Sequence, residues 1–396
     1  MPFARAALVT GVRTFLAVFA AVSVLASITV GRADDVASTP LVTVTLATEM
    51  QPPETVSGRI LVKAQDGGLL LEDRSGRLHQ LTPKQFSDVA EQKLPFTYLS
   101  SDELAGVLLQ QTGGGFVIHV TEHFVLCSDA SELYTQYCGR LLEKVFAEFR
   151  ALFGNIGLKL QPVASRLPVL VFREPAVFQT FAQAQHPDTD FTSVPGYYSV
   201  RDNQMLITAV SGDRDFGTNS DVLRELRKRP RRVETIVHEA VHQLAFNTGL
   251  QVRYADNPMW LSEGLAVYFE TASGRGALVW SRPGERSRIH LPGFREAVQN
   301  DRLRLSLSDL LTSDNAFAAS ESLADAYAEG WALTYFLITE KPEAFHQLML
   351  KQQARKPLVT MPPTDRLNEV EQVTGTPAEE LEQDLIRYMS RLRNSR

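Results

Sequence analysis

The chain has 396 residues, 44% of them hydrophobic and 22% charged. These are the proportions of a folded globular protein and exclude a disordered tail, a collagen-like repeat and a multi-span membrane protein. Forty Lys and Arg against 46 Asp and Glu give a formal charge of −6, a mildly acidic balance that argues against nucleic acid as a partner.

Arg5 and Arg13 precede an uncharged apolar run over residues 15–30, which Gly31, Arg32 and Ala33 follow. The run is short for a spanning helix, and small residues stand at the −3 and −1 positions of a cut after Ala33, so residues 1–33 read as an export signal. The mature chain is then expected in the periplasm, the cell envelope or the medium, and at a membrane only if this segment stays uncleaved. Residues 34–55, with Pro52 and Pro53 and no clear helical period, suit a linker, so order is expected to begin near Val56.

Residues 56–112 read as a small β-rich module. Short apolar stretches at 60–62, 69–71 and 78–81 are separated by Asp66-Gly67-Gly68 and Arg74-Ser75-Gly76, the turn chemistry of a meander. Two helical segments are expected next, the second starting at Ser101, before Gly113-Gly114-Gly115 breaks the chain. Beyond it, 116–126 predicts one or two strands and 132–152 a long amphipathic helix. A strand at 167–172 and a helix at 175–184 follow, then a hairpin opened by Pro195-Gly196-Tyr197-Tyr198 with its second strand at 204–208. From Val233 onward the pattern is helical. Strands first and helices after predict an α+β domain over 113–396, with sheet and helical half facing across a cleft. Cys127 and Cys138 are the two cysteines; an exported chain could bridge them or keep both as buried thiols.

The segment 233–249 contains His238-Glu239-Ala240-Val241-His242. Residues four apart share a helix face, so two imidazoles there can grip one tetrahedral ion, and Glu239, about 100° round the helix, can reach a water without being a ligand. A third acid lies in Trp260-Leu261-Ser262-Glu263-Gly264-Leu265-Ala266, within an apolar helical stretch over 258–271. A carboxylate at Glu263 is costly to bury unless it is paired or bound to metal.

H-E-x-x-H followed by W-L-x-E-G-x-A resembles the gluzincin group of zinc metallopeptidases, which includes thermolysin and the zinc aminopeptidases. The resemblance implies a zincin-like fold for residues 113–396 and one zinc per chain, held by His238, His242 and Glu263, with Glu239 as general base. The third-ligand pattern of the metzincins is absent, since its Gly and His would fall at Ala245 and Thr248. Tyr327-Ala328-Glu329-Gly330 is similar to the Y-x-x-G segment of zinc aminopeptidases, which implies that the Tyr327 hydroxyl stabilises an oxyanion; alternatively Tyr327 simply packs beside Trp331, Tyr335 and Phe336. The G-x-M-E-N segment of those aminopeptidases is absent, so the resemblance does not extend to their grip on a free amine. The 196–208 hairpin occupies the chain position of their peptide-pairing edge strand. The motifs T-I-V-H-E-A-x-H-Q and W-L-S-E-G-L-A-x-Y-F-E also resemble a group of secreted peptidases catalogued as a domain of unknown function, over about residues 115–390.

The expected function is therefore zinc-dependent hydrolysis of peptide bonds in a peptide or protein substrate. The alternative is a non-catalytic protein of the same fold that binds peptide or cell-envelope components, with the β-rich module as its docking part. No feature of the sequence specifies an oligomeric state. Glu270, seven residues after Glu263, reads more plainly as a solvent-exposed acid than as one holding a ligand histidine. His290 is a further candidate near the cleft. The cluster Arg224, Arg227, Lys228, Arg229, Arg231 and Arg232 reads as a solvated face, and Thr376-Pro377-Ala378-Glu379 as a capping box opening a closing helix over 377–392.

Overall fold

The computed structural model describes residues 39–47, 54–210, 216–272, 276, 278–299 and 305–393; the export segment and the chain's last three residues lie outside them. Among the described residues, ten strands and thirteen helices form a mixed α+β structure with two five-stranded sheets. Among the described residues no helix is long and apolar enough to cross a membrane.

The first sheet is an antiparallel module built from β1 (Pro40–Leu46), β2 (Thr55–Lys63), β3 (Leu69–Asp73), β4 (Leu78–Leu81) and β5 (Phe86–Pro95), in the order β4-β3-β2-β1-β5. Two expectations fail here. The stretch 34–55 is not all linker, because alternating Val42 and Val44 are buried in β1, which pairs with both β2 and β5. The first of the two helical segments expected after Leu81 is instead β5. Its Ala, Glu, Gln and Lys favour a helix locally, but the open edge of β1 supplies a full ladder of backbone partners, and pairing overrides so weak a preference.

The second sheet contains β6 (Val117–Val120), β7 (Phe124–Ser128), β8 (Leu167–Phe172), β9 (Gly196–Ser199) and β10 (Gln204–Thr208), ordered β6-β7-β8-β10-β9. Strands β7, β8 and β10 run parallel, and the two edge strands are antiparallel to their neighbours. Period-two alternation sorts the central side chains. Val125, Cys127, Leu170, Phe172 and Leu206 meet α1 (Ser101–Thr112) and α3 (Pro175–Gln185) on one face. Leu126, Val169, Val171, Met205 and Ile207 join the large core on the other, with α2 (Glu132–Asn155). Helix α1 packs on this sheet, against β6, β7 and β8. The same alternation keeps the thiols apart: Cys127 and Cys138 form no disulfide and are both buried, in cores on opposite faces of the sheet.

The helical half comprises α4 (Asn219–Lys228), α5 (Pro230–Asn247), α6 (Met259–Glu270), α7 (His290–Gln299), α8 (Leu307–Thr312), α9 (Asn315–Ala318), α10 (Leu323–Glu340), α11 (Pro342–Gln353), α12 (Pro363–Thr374) and α13 (Ala378–Arg391). The closing helix exists, but its capping box does not form. Pro377 takes the N-cap position and sets Thr376 one residue too early, so the Ala378 N–H is accepted by Glu371 Oε1 at 2.8 Å and Thr376 Oγ1 turns back to the Thr374 carbonyl. In the basic cluster Arg224, Lys228 and Arg229 are exposed and paired with Asp221 and Glu225, as a solvated face requires. Arg232 departs from it by reaching in to Thr208 Oγ1.

One buried acid in this half sets a pH dependence. Glu329 on α10 is almost fully buried, its Oε1 has no hydrogen-bond partner, and burial together with Asp325 and Glu382 pushes its carboxyl up to about 8. The folded chain then keeps Glu329 protonated at pH values where the unfolded chain has lost that proton. This contribution to stability is full below about pH 4.3, declines as pH rises and is gone above 8. Glu329→Gln should therefore be the more stable chain at pH 8, by up to several kcal/mol, and no more stable than the parent at pH 4. Urea unfolding at the two pH values tests this, and an equal difference at both would refute the assignment.

Candidate metal centre

Helix α5 starts with Pro230 at its first position and closes before Gly249, whose φ of +69° lets the chain turn away. Val233, Ile236, Val237, Ala240, Val241 and Leu244 anchor it in the main core, between β9–β10 on one side and α6 on the other. This rigid seating fixes His238 and His242 one turn apart, each 2% exposed, and α6 brings Glu263, 0% exposed, to the same point.

His238 Nε2 lies 3.1 Å from His242 Nε2 and 3.1 Å from Glu263 Oε2, and His242 Nε2 lies 3.5 Å from Glu263 Oε1. A tetrahedral ion with bonds of about 2.0–2.1 Å holds its ligand atoms about 3.3 Å apart, which is the spacing found. The polar balance also fits an ion. Glu263 Oε1 is buried with no hydrogen-bond partner, and two imidazole nitrogens face each other where at most one proton could lie between them. Burial alone would raise the Glu263 carboxyl, but the imidazoles of His242 and His238 outweigh it and hold the group well below the usual carboxylate range, ready as an anionic ligand.

Glu270, at the end of α6, is buried and not the exposed acid its position suggested: its Oε2 sits 2.7 Å from His238 Nδ1. That contact fixes the ring and directs Nε2 toward His242 and Glu263. Glu239 is buried beside the cluster without joining it. One of its oxygens, Oε2, accepts the backbone N–H of Tyr198 in β9 at 2.9 Å. Tyr327, on α10, is buried with its ring 6.4 Å from that of His238. The ring of His290 stacks on Tyr327 at 6.4 Å and approaches Trp331, so His290 lies behind the tyrosine and not among the ligands.

The two helices that carry Glu263 and Tyr327 meet through glycines. A Cβ on Gly264 would lie 2.4 Å from the Gly330 carbonyl oxygen and 2.3 Å from Thr334 Oγ1, so α6 and α10 touch backbone to backbone. The structure thus brings together all five residues singled out from the motifs. The β9 amide on Glu239 and the glycine contact were not foreseen from the sequence; the second had a signal, since Gly264 and Gly330 each closely follow a candidate site residue. Glu122, His123 and Glu143 also come close to one another, but nearer the surface and with Glu143 already accepting from Thr121, the His123 backbone and the His123 ring.

These features define an α+β protein with a buried His-His-Glu cluster flanked by a glutamate and a tyrosine. A protein-family profile described as Protein of unknown function (DUF1570) matches residues 232–359. That span takes in most of α5, all of α6 and α10, and every residue of the cluster, but neither sheet; it is narrower than the 115–390 expected. No curated protein matches the chain.

Proposed function

We propose that the protein is an exported zinc metallopeptidase with a zincin-like arrangement of sheet, active helix and helical half. The observation that carries this is the fully buried triad of His238, His242 and Glu263 at tetrahedral spacing with Glu239 beside it but outside it. Bound there, zinc would polarise a peptide carbonyl and bring the pKa of a water toward about 7.

The chain's own residues supply the rest. Glu239, whose Oε2 is held by the Tyr198 amide, accepts the proton of the attacking water and returns it to the departing amine. Tyr327 hydrogen-bonds the carbonyl oxygen through its hydroxyl as negative charge develops on it. Strand β9 is a sheet edge facing α5, and its outward backbone groups other than the Tyr198 N–H would pair with an extended peptide laid across the cleft. Glu270 keeps His238 oriented throughout.

Metal content is the direct test. Residues 34–396, purified without added metal, should hold about one zinc per chain, and Glu263→Ala much less. A parent that takes up no zinc even after reconstitution would overturn the proposal.

A further inference from the structure

The turn that joins β9 to β10 is gripped from two sides. On one side is the N-terminal sheet: the Leu78 N–H donates to the Arg201 carbonyl at 2.8 Å, and Arg77 Nε lies 3.2 Å from the buried Asp202. On the other is the active helix α5. Asn203, in the left-handed region at φ 55°, accepts at Oδ1 from the Tyr198 hydroxyl and from Asn247 Nδ2, both at 2.7 Å. Its Nδ2 donates to Asn247 Oδ1 at 2.9 Å, and its carbonyl accepts from Gln243 Nε2 at 3.2 Å. Space is tight as well, since a Cβ on Gly76 would lie 3.0 Å from Asn203 Nδ2.

Arg253, in the loop after α5, closes this arrangement. Its buried guanidinium donates to the Gly76 carbonyl at 2.6 Å and the Val200 carbonyl at 3.4 Å, and pairs with Glu72 of β3. The second Glu72 oxygen takes Arg59 and the Tyr98 hydroxyl. Val62, Leu70 and Leu78 complete the seam against Tyr254 and Leu358. A buried carboxylate between two arginines is expensive to break by removing one partner, which marks a fixed joint and not a module tethered for docking elsewhere.

We infer that the N-terminal sheet is part of the machinery of the cleft: through Arg253 and Asn203 it locks the β9–β10 turn onto α5 and so fixes the Tyr198 N–H that holds Glu239. Asn203 is a positioning residue. The catalytic half of this inference rests on the peptidase reading above; the positional half does not.

Asn203→Gly tests both, because glycine keeps the left-handed backbone and deletes only the amide; Arg253→Lys, which keeps the charge on Glu72 but not the fork to Gly76 and Val200, is the second variant. In the zinc-loaded chain, backbone hydrogen exchange over 196–208 should rise about tenfold or more in each, with zinc content and exchange over α2 unchanged. The kcat for peptide cleavage should fall about 10- to 100-fold, as a displacement of about 1 Å can produce, with KM moving less. Unchanged exchange over 196–208 in both variants, or raised exchange with unchanged kcat, overturns the inference. A parent that binds zinc and cleaves no peptide overturns the peptidase reading instead, and the exchange comparison, which uses no substrate, tells the two failures apart.

Discussion

Glu239→Gln is expected to retain one zinc per chain and to lose peptide hydrolysis by about 10²- to 10⁴-fold, the range a positioned general base contributes. Glutamine is isosteric and still offers an oxygen to the Tyr198 N–H, so the helix and the ligand pair of His238 and His242 are undisturbed; only the ability to take a proton goes. The measurement is kcat on a peptide library at matched zinc content, and because chemistry is removed while ground-state contacts remain, kcat should fall far more than KM rises. Residual activity within tenfold of the parent would remove Glu239 from the role of base. A parent with zinc but no cleavage would support the non-catalytic alternative, in which the cleft binds peptide or envelope components without turning them over.

Gly264→Ala should be strongly destabilising. Its new carbon would lie 2.4 Å from the Gly330 carbonyl oxygen and 2.3 Å from Thr334 Oγ1, and α6 and α10 would have to move apart. Overpacking of this kind costs about 3 kcal/mol, and here the displacement falls between the helices that carry Glu263 and Tyr327, so zinc affinity should weaken along with stability. Gly114→Ala is the control, since nothing lies within 4 Å of its new Cβ, and it should stay within about 0.5 kcal/mol of the parent. Equal unfolding midpoints for the two variants would mean that the glycine contact does not set the spacing of these helices.

The sequence by itself determined the His-His-Glu cluster. His238, His242 and Glu239 lie within one helical turn and a half, so helical periodicity alone fixes their relative directions, and Glu263 is a carboxylate in an otherwise apolar helix that had to meet a partner. The bounds of several helices, among them Glu132–Asn155 and Pro175–Gln185, and the central strands of the second sheet were legible for the same reason: buried strands and amphipathic helices carry their period in their own residues. Only the tertiary structure decided the features that join distant segments. Glu270 reads as a helix-end acid until the fold sets its Oε2 2.7 Å from His238 Nδ1, β5 reads as a helix until β1 offers it an edge, and the Thr376 cap is lost to a carboxylate from the preceding helix. The N-terminal sheet looked separable because nothing in its local pattern records that Glu72 will meet Arg253, 181 residues further along the chain. Local periodicity encodes which face a side chain presents; which partner waits there depends on long-range packing that a local window of sequence does not contain.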